Sequence, residues 1–208
     1  MNDPDLETAY ALETPADNQR LYADWADTYD DGFAKNMDYR LPQIVATILI
    51  EMFDGQGVVL DLGAGTGLVA QYVSRNVQLT MDALDISPDM LAIAAEKGIY
   101  RDTFLGDLTG PLDIATGTYD AIVSSGTFTH GHVGPEALNE VIRLGRRGAL
   151  FVLSINAEHF EARGFSEKFS LLEADIEDLE HRIVDIYGPK TEASHKHDKA
   201  HIAVFRKR

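Results

Sequence analysis

The chain has 208 residues, of which 45% are hydrophobic and 25% are charged, a composition that suits one folded domain. It contains no cysteine, which excludes disulfide bonds, a thiolate nucleophile and a cysteine zinc site. The formal net charge of −16 opposes binding to nucleic acid, because phosphate groups require a basic surface. The basic clusters at 143–147 and 206–208 hold only three charges each, so we expect no nucleic-acid partner.

The first residues and the longest apolar run bear on the cellular location of the protein. Residues 1–13 lack the basic start of a signal peptide, and the longest apolar stretch, 44–53, is too short to span a bilayer. We therefore expect a cytoplasmic protein that does not contact membranes. Nothing in the sequence predicts the oligomeric state.

Three parts are expected along the chain. Residues 1–18 are polar and acidic and are predicted to form a flexible arm. Residues 19–208 are predicted to form a single domain, in which a helical cap over 19–54 precedes a sheet core over 57–208.

The predicted cap begins with an aromatic helix. Tyr22, Trp25 and Tyr29 recur at the spacing of one helical face, and the Asp-Asp-Gly run at 30–32 is predicted to end that helix. A second helix is expected to open at Leu41-Pro42, where proline suits the first turn, and to close at 54–57.

From residue 58 the chain alternates apolar runs with helical patterns. Strands are predicted over 58–62, 79–85, 101–105, 119–124 and 149–155, with helices over 67–75, 87–98 and 135–146. This alternation predicts right-handed crossovers and a parallel sheet covered on both faces, which is an α/β fold. The tail differs: a helix over 167–176 and strands over 181–187 and 200–205 predict a hairpin at the sheet edge.

A glycine bend follows the first predicted strand. Gly63, Gly65 and Gly67 allow a sharp turn and a close approach of a ligand to the backbone. A dinucleotide site uses Gly-x-Gly-x-x-Gly, whereas the third dinucleotide glycine is replaced here by Leu68. Asp61, two residues before the bend, suits a cationic amino-acid group better than a pyrophosphate. These features disfavour, without excluding, an NAD-dependent oxidoreductase.

Two more aspartates follow the next two strands. Asp85 is placed to accept the hydroxyls of a ribose, and Asp107 to accept the amino group of an adenine. Either one alone is explained equally well as a helix cap or turn residue. Their occurrence together with Asp61, at three successive strand ends, favours an adenosine-containing ligand.

These segments resemble a known family. The runs VLDLGAGTGLVA at 59–70, LDISPDML at 84–91, GDL at 106–108 and YDAIVSSGTFTHGHV at 119–133 are similar to motifs I to IV of class I S-adenosylmethionine-dependent methyltransferases. A narrower resemblance is to the Williams–Beuren syndrome chromosome region methyltransferase-like proteins, through YADWADTYD at 22–30, AEKGIY at 95–100 and SGTFTHGHVGPEAL at 125–138.

The resemblance implies a Rossmann-like, doubly wound seven-stranded sheet of order 3-2-1-4-5-7-6 with the last strand antiparallel. It also implies S-adenosylmethionine as cofactor and methyl transfer (EC 2.1.1 type) as activity. The resemblance assigns the methionine portion to Asp61, Gly63, Gly65 and Gly67, the ribose to Asp85 and Ile86, and the adenine to Asp107 and Leu108. It places Ser124 near the sulfonium. Ala64, Thr66 and Ser87 are further cofactor-binding candidates, and Met90 is a candidate either for the wall of the adenine pocket or for the core.

Further candidates concern the reaction itself. Tyr22, Trp25 and Tyr29 are candidates for a lid whose rings face the sulfonium by cation–π attraction, or for simple packing on the sheet. His130 and His132 are candidates for a general base, or for residues that fix their loop. Three histidines at 195, 197 and 201 fall in a charged segment, and a solvated loop explains them better than zinc.

The sequence thus predicts methyl transfer to a small-molecule acceptor. The alternatives are a non-catalytic S-adenosylmethionine-binding regulatory protein and a protein methyltransferase whose acidic surface attracts a basic partner. Which atom receives the methyl group is not encoded in any of these patterns, because substrate varies freely across this fold.

Overall fold

The computed structural model describes residues 20–21, 25–129, 133–189, 191 and 197–208. The predicted arm over 1–18 lies outside these residues, as do Tyr22, His130 and His132. The described part holds seven strands: β1 Val58–Leu62, β2 Thr80–Asp85, β3 Thr103–Leu105, β4 Tyr119–Phe128, β5 Gly145–Asn156, β6 Ile176–Asp185 and β7 Lys199–Lys207. Its α-helices are α1 Leu41–Met52, α2 Leu68–Ser74, α3 Pro88–Glu96, α4 Ala137–Leu144, α5 Ala157–Arg163 and α6 Phe165–Leu171.

All seven strands join one sheet of order β3-β2-β1-β4-β5-β7-β6. Neighbouring strands from β3 to β5 are parallel, and β7 is antiparallel to both β5 and β6. The predicted α/β fold, strand order and antiparallel seventh strand are therefore confirmed. The strand order reverses between the adjacent strands β1 and β4, because the chain continues from β1 toward β2 and from β4 toward β5. The carboxyl ends of β1 and β4 therefore form the crevice where such sheets bind ligands.

The core has one layer on each face of the sheet. Alternate residues of a strand point to opposite faces, so Val59 packs with α1 and α2 on one side. Leu60 packs with the layer that contains residues of α4, α5 and α6 on the other side. In the central strands, the residues that face one side of the sheet and those that face the other are mostly buried. This explains why these strands are continuous apolar runs and do not alternate between apolar and polar residues.

Beyond β5 the sequence prediction needs correction. The stretch after β5 forms two short helices, of which the second confirms the predicted helix as far as Leu171. The predicted end of that helix at 176 and the predicted strand start at 181 were wrong, because β6 begins at Ile176. The Asn156 side chain accepts a hydrogen bond from the backbone of His159 and starts α5, and Gly164 (φ +76°) separates α5 from α6. The break between the two helices is stabilised by a buried aromatic cluster that includes Phe160 and Phe165.

The predicted end of the aromatic helix at 30–32 was also wrong. A 3₁₀ turn, Ala26–Thr28, leads directly into a π-helix, Tyr29–Ala34, that runs through the Asp-Asp-Gly sequence. Its ring Phe33 is 6% exposed and stacks on Trp25 and Tyr29. Burial of this ring outweighs the turn preference of the acidic residues and glycine. A π-helical turn of this kind occurs frequently at functional sites.

Strand β6 lies at the outer edge of the sheet. Most of its residues are exposed or half-buried, and it carries the acids Glu177, Asp178, Glu180 and Asp185. Within the described residues, no helix is long and apolar enough to cross a membrane.

Candidate active site

The glycine bend joins β1 to α2 in a left-handed backbone conformation that glycine adopts without strain. Gly63, Gly65 and Gly67 have φ values of +66°, +54° and +88°, which side chains disfavour. The N–H groups of Gly63 and Ala64 both donate to the carbonyl of Leu84, at 2.7 and 3.0 Å, and so fix the bend to β2. No atom lies within 4 Å of the position that a Cβ of Gly65 would occupy, so the bend is open toward the cavity there.

Asp85 holds the rim of this bend. Its two carboxylate oxygens accept from the N–H groups of Gly65, at 2.7 Å, and Ser87, at 2.8 Å. Burial raises the pKa of Asp85, and the backbone donors, Ser87 first, partly offset the rise. A carboxylate oxygen can accept more than one hydrogen bond, so this fixed carboxylate is still able to accept two adjacent hydroxyl groups.

Asp61 lies behind the bend and is fully buried. Tyr100 donates a 2.6 Å hydrogen bond to its Oδ2, while Oδ1 has no partner among the described residues. Burial raises the pKa of Asp61 to about 7, against the lowering effect of the Tyr100 hydrogen bond. Asp61 is not among the residues that line the cavity, so its carboxylate supports the bend from the protein side.

The third aspartate starts the loop after β3. Asp107 lines the cavity, and its Oδ1 accepts from both the backbone N–H and the hydroxyl of Thr109, at 2.8 Å each. Leu108 and Met90 are almost fully buried and line the same part of the cavity, with Ile86 beside them. Met90 thus serves both the core and the cavity wall.

These residues enclose a cavity of about 190 Å³ at the carboxyl ends of the strands. The sequence-predicted candidates that line it are Tyr29, Gly63, Ala64, Gly65, Thr66, Asp85, Ile86, Met90, Asp107 and Leu108. Those that lie behind this lining are Trp25, Asp61, Gly67, Ser87 and Ser124. Tyr22, His130 and His132 are outside the described residues.

The candidates behind the lining have structural contacts. Trp25 is 4% exposed and stacks on Phe33, so it packs in the cap. Ser87 accepts from the N–H of Met90 as the cap of α3. The buried Ser124 hydroxyl donates to the carbonyl of Leu62, at 2.8 Å, and so joins β4 to the start of the bend.

Several cavity residues were not found from the sequence. Tyr39 and Tyr187, which form an isolated β-bridge and lie 148 positions apart, line the cavity together. Ser125 and Thr127 follow Ser124 at an irregular end of β4, where the pairing with β5 shifts register. The SGTF run itself was the available signal, but only the bulge shows which of its side chains reach the cavity.

Asp30 fastens the cap to the bend. Its two oxygens accept from the Thr66 hydroxyl and from Lys97 Nζ, each at 2.5 Å. Thr66 is in the bend and Lys97 follows α3, so one carboxylate joins three separate segments. This arrangement holds Tyr29 and Phe33 against the cavity.

Histidines of the described part have other roles than metal binding. His159 is buried, and its Nε2 lies 3.0 Å from the carbonyl of Val133. His181 and His201 sit in an aromatic cluster, where burial lowers the pKa of each. Among the described residues, no group of three or more histidines, aspartates or glutamates is arranged to hold a metal ion.

The fold and this bend fit a methyltransferase, and comparison with known proteins shows the family. Residues 59–148 match the family model described as a methyltransferase domain. Human methyltransferase-like protein 27 is 30% identical over 184 residues, which cover 84% of this chain and 71% of the relative. The chain therefore belongs to the class I S-adenosylmethionine-dependent methyltransferases.

Two further matches show that a similar bend or a similar fold occurs in proteins of different activity. The 18S rRNA (guanine-N(7))-methyltransferase of Bos taurus is 39% identical, but only over 66 residues, or 32% of this chain and 23% of the relative. The solved structure of the cyclase SpnF has a TM-score of 0.70 and 18% identity, and the match covers 94% of this chain and 97% of that chain. The family confirms S-adenosylmethionine as the cofactor, whereas neither match defines the acceptor.

Proposed function

We propose that this methyltransferase acts on a small molecule held in the cavity beside the glycine bend. The observation that carries the proposal is the lack of charge in the described lining on the side opposite the bend. Asp85 and Asp107 are the acidic residues of the described lining, and no described lining residue is a lysine or arginine. The described wall therefore offers no basic side chain to bind phosphates, and no acid opposite the bend to hold a lysine or arginine of a protein substrate.

The cofactor is proposed to occupy the half of the cavity formed by the bend. Open space over Gly65 leaves room for the methionine portion. The fixed carboxylate of Asp85 suits the ribose hydroxyls, and Asp107 with the apolar Leu108 and Met90 suits the adenine. When bound, the cofactor supplies a methyl group on a positively charged sulfonium; the protein then has to align the acceptor and exclude water.

Aromatic rings cover this half of the cavity. Tyr29 lines it from the π-helix, with Phe33 stacked on it at a centroid distance of 5.2 Å. Electron-rich ring faces attract a cation, so Tyr29 is proposed to face the sulfonium. Trp25, which is buried behind Phe33, supports the rings instead.

Arg143 and Lys207, one from each of the two basic clusters, are engaged within the protein. Arg143 pairs with Glu140 and donates to the carbonyls of Leu112 and Ile114. Lys207 donates to the carbonyls of Ile142 and Gly145. Basic groups that satisfy internal carbonyls are poorly placed to bind a nucleic acid, which supports a small acceptor over RNA.

A general base remains a proposal for His130 and His132. Thr129 and Val133, the described residues on either side, both line the cavity. Both histidines lie between these two residues in the sequence, which motivates the proposal for an acceptor that must lose a proton. A neutral amine or a thiolate would not need a general base.

The test is to follow the methyl label. The protein is incubated with methyl-labelled S-adenosylmethionine and, separately, a metabolite extract, purified ribosomal RNA and a mixture of basic proteins. Label in the metabolite fraction that disappears with Asp85→Asn supports the proposal. Label in RNA or protein overturns it, and cofactor binding without transfer to any fraction supports the non-catalytic alternative.

A further inference from the structure

Resting on the proposed small-molecule function, we infer that Tyr39 and Ser125 form an acceptor-binding subsite for an uncharged, flat ring compound that bears a hydroxyl group. The two hydroxyl groups would hold the oxygen of the acceptor, and neighbouring rings would hold its ring. This assigns specificity to residues outside the glycine bend and the aspartates.

Ser125 has a buried hydroxyl that makes no hydrogen bond of normal geometry within the described part of the chain, although it lies close enough to the Tyr39 phenol to affect its pKa. Its Oγ is buried and has no hydrogen-bond partner of normal geometry among the described residues, and Ser125 lines the cavity. A buried hydroxyl without a partner costs on the order of 1–3 kcal/mol, so a ligand that supplies the partner gains this contact.

The local backbone explains why Ser125 faces the cavity. β4 loses its regular pairing with β5 between Ser124 and Phe128, and Gly126 within this irregular stretch has a φ of +81°. The Gly126 N–H donates to the Ser154 hydroxyl, at 2.9 Å, which holds the irregular backbone. Bulges next to active sites commonly redirect a side chain in this way.

Tyr39 approaches the same point from the cap. A Cβ at Gly126 would lie 2.6 Å from Tyr39 Oη, so the phenol reaches the backbone beside Ser125 only because position 126 is glycine. Burial raises the pKa of Tyr39 to about 12, and the Ser125 hydroxyl offsets part of this rise. Tyr39 therefore stays protonated and donates a hydrogen bond; it holds an acceptor oxygen rather than removing its proton.

A row of rings borders this pair of hydroxyl groups. Phe33 lies 5.9 Å from Tyr39, which in turn lies 5.9 Å from Tyr187, and all three line the cavity. Aromatic walls favour flat apolar ligands. Since the described lining here is uncharged, a charged substituent would lose its hydration without gaining a partner.

The inference is tested with four small probes that share one ring. p-Cresol is neutral and has a hydroxyl, 4-hydroxybenzoate adds an anion, tyramine adds a cation, and toluene lacks the hydroxyl. Each is titrated by NMR into the full-length protein saturated with S-adenosylhomocysteine. We expect p-cresol to bind at least fivefold more tightly than any of the other three. Tyramine separates this subsite from the general attraction of an acidic protein for cations.

Hydroxyl deletions then locate the subsite. Ser125→Ala and Tyr39→Phe should each weaken p-cresol binding about fivefold and leave toluene binding unchanged, as expected for loss of one hydrogen bond. Ser166→Ala, exposed on α6, and Tyr72→Phe, on α2, are the matched controls.

Equal or tighter binding of tyramine or 4-hydroxybenzoate overturns the inference, as does failure of p-cresol to bind. It is also overturned if either variant weakens S-adenosylhomocysteine in parallel, because the residue then serves the cofactor half. These outcomes are independent of the label experiment, so the small-molecule function can stand while this subsite fails.

Discussion

Tyr100 donates a 2.6 Å hydrogen bond to Asp61, 39 residues earlier in the chain, behind the glycine bend. The tyrosine ring also limits the bend from this side, because a Cβ at Gly67 would lie 2.9 Å from it. Asp61 is fully buried, and only one of its oxygens has a partner among the described residues. The pair therefore supports the bend from behind. It also destabilises the folded chain, because the buried carboxylate has few partners to compensate its charge.

The first prediction concerns the pH dependence of stability at Asp61. Its pKa of about 7 in the folded chain is above the ordinary value near 4, so the folded chain binds a proton between these two pH values. The cost of the buried charge is absent below about pH 4, grows as the pH rises, and is complete above about pH 7. Asp61→Asn removes the charge and keeps an acceptor for Tyr100.

We therefore expect Asp61→Asn to gain stability over the wild type as the pH rises from 4 to 7, on the order of 4 kcal/mol, with a constant difference above pH 7. Urea unfolding at a series of pH values measures this difference. Asp113→Asn, an exposed aspartate, is the matched control. Parallel curves for Asp61→Asn and wild type would show that the carboxylate is not responsible.

A second prediction concerns Asp85. Asp85→Asn keeps one acceptor oxygen but replaces the other with a donor that faces the N–H of Gly65 or Ser87. We expect the affinity for S-adenosylhomocysteine to fall on the order of 30-fold, since a charged acceptor hydrogen bond is lost and two donors are opposed. Isothermal titration measures the change. Asp89→Asn, exposed in the first turn of α3, should bind as wild type; unchanged affinity in Asp85→Asn would remove Asp85 from the proposed ribose site.

The third prediction compares two glycines of similar backbone conformation. Gly63 and Gly98 have φ values of +66° and +62°. A Cβ at Gly63 would lie 2.0 Å from Thr127 Oγ1, whereas nothing lies within 4 Å at Gly98. Both alanine variants carry the backbone strain of about 1 kcal/mol, but Gly63→Ala should lose about 2 kcal/mol more, because Thr127 has to move.

Thermal unfolding of the two glycine variants gives the comparison directly. Thr127 also donates to the Leu62 carbonyl, so its displacement should weaken cofactor binding in Gly63→Ala but not in Gly98→Ala. Equal destabilisation by both alanines would mean that the bend adjusts freely around Thr127.

A fourth prediction tests the contact between the cap and the bend. Asp30→Asn removes the charge that pairs with Lys97 and weakens the hydrogen bond from Thr66. Both groups are partly exposed, so the effect should be modest: about a fivefold faster release of S-adenosylhomocysteine, measured by stopped-flow fluorescence. Glu96→Gln, an exposed neighbour of Lys97, should release it at the wild-type rate. Release at one common rate in all three proteins would separate the cap from cofactor retention.

The fifth prediction applies to the histidines proposed as general base. Replacing His130 and His132 together by alanine should lower the rate of methyl transfer on the order of 100-fold or more, while cofactor affinity is retained. The wild-type rate should rise with pH through the region near 6.5 where a histidine loses its proton. A variant with the wild-type rate and pH profile would assign these residues to their loop alone.

Patterns local to the chain were predicted well. Strand β1 and the bend that follows it have strong local signals, namely an apolar run and glycines at fixed spacing. The Ser87-Pro88 start of α3 is likewise a local capping pattern, and Ser87 accepts from Met90 as expected. Turn and capping preferences depend on residues that are close in the sequence, so these elements were predicted without needing correction.

Contacts between distant segments were not predicted. Tyr39 forms a bridge with Tyr187, and Tyr100 donates to Asp61, although each pair is far apart in the chain. The continuation of the cap helix through residues 30–32 depends on burial of Phe33. In each case tertiary packing decided the outcome, and a single sequence does not contain the neighbour that supplies it.

The outermost strand has a consequence for how this molecule behaves in concentrated solution. A second copy approaching β6 to extend the sheet would bring Glu177, Asp178 and Glu180 against like charges, in a molecule that already carries −16. An unpaired sheet edge invites fibril-like addition of strands, and charges placed along it are a common defence. We therefore expect these acidic side chains to oppose aggregation through this sheet edge, and to oppose it less once acid has neutralised them.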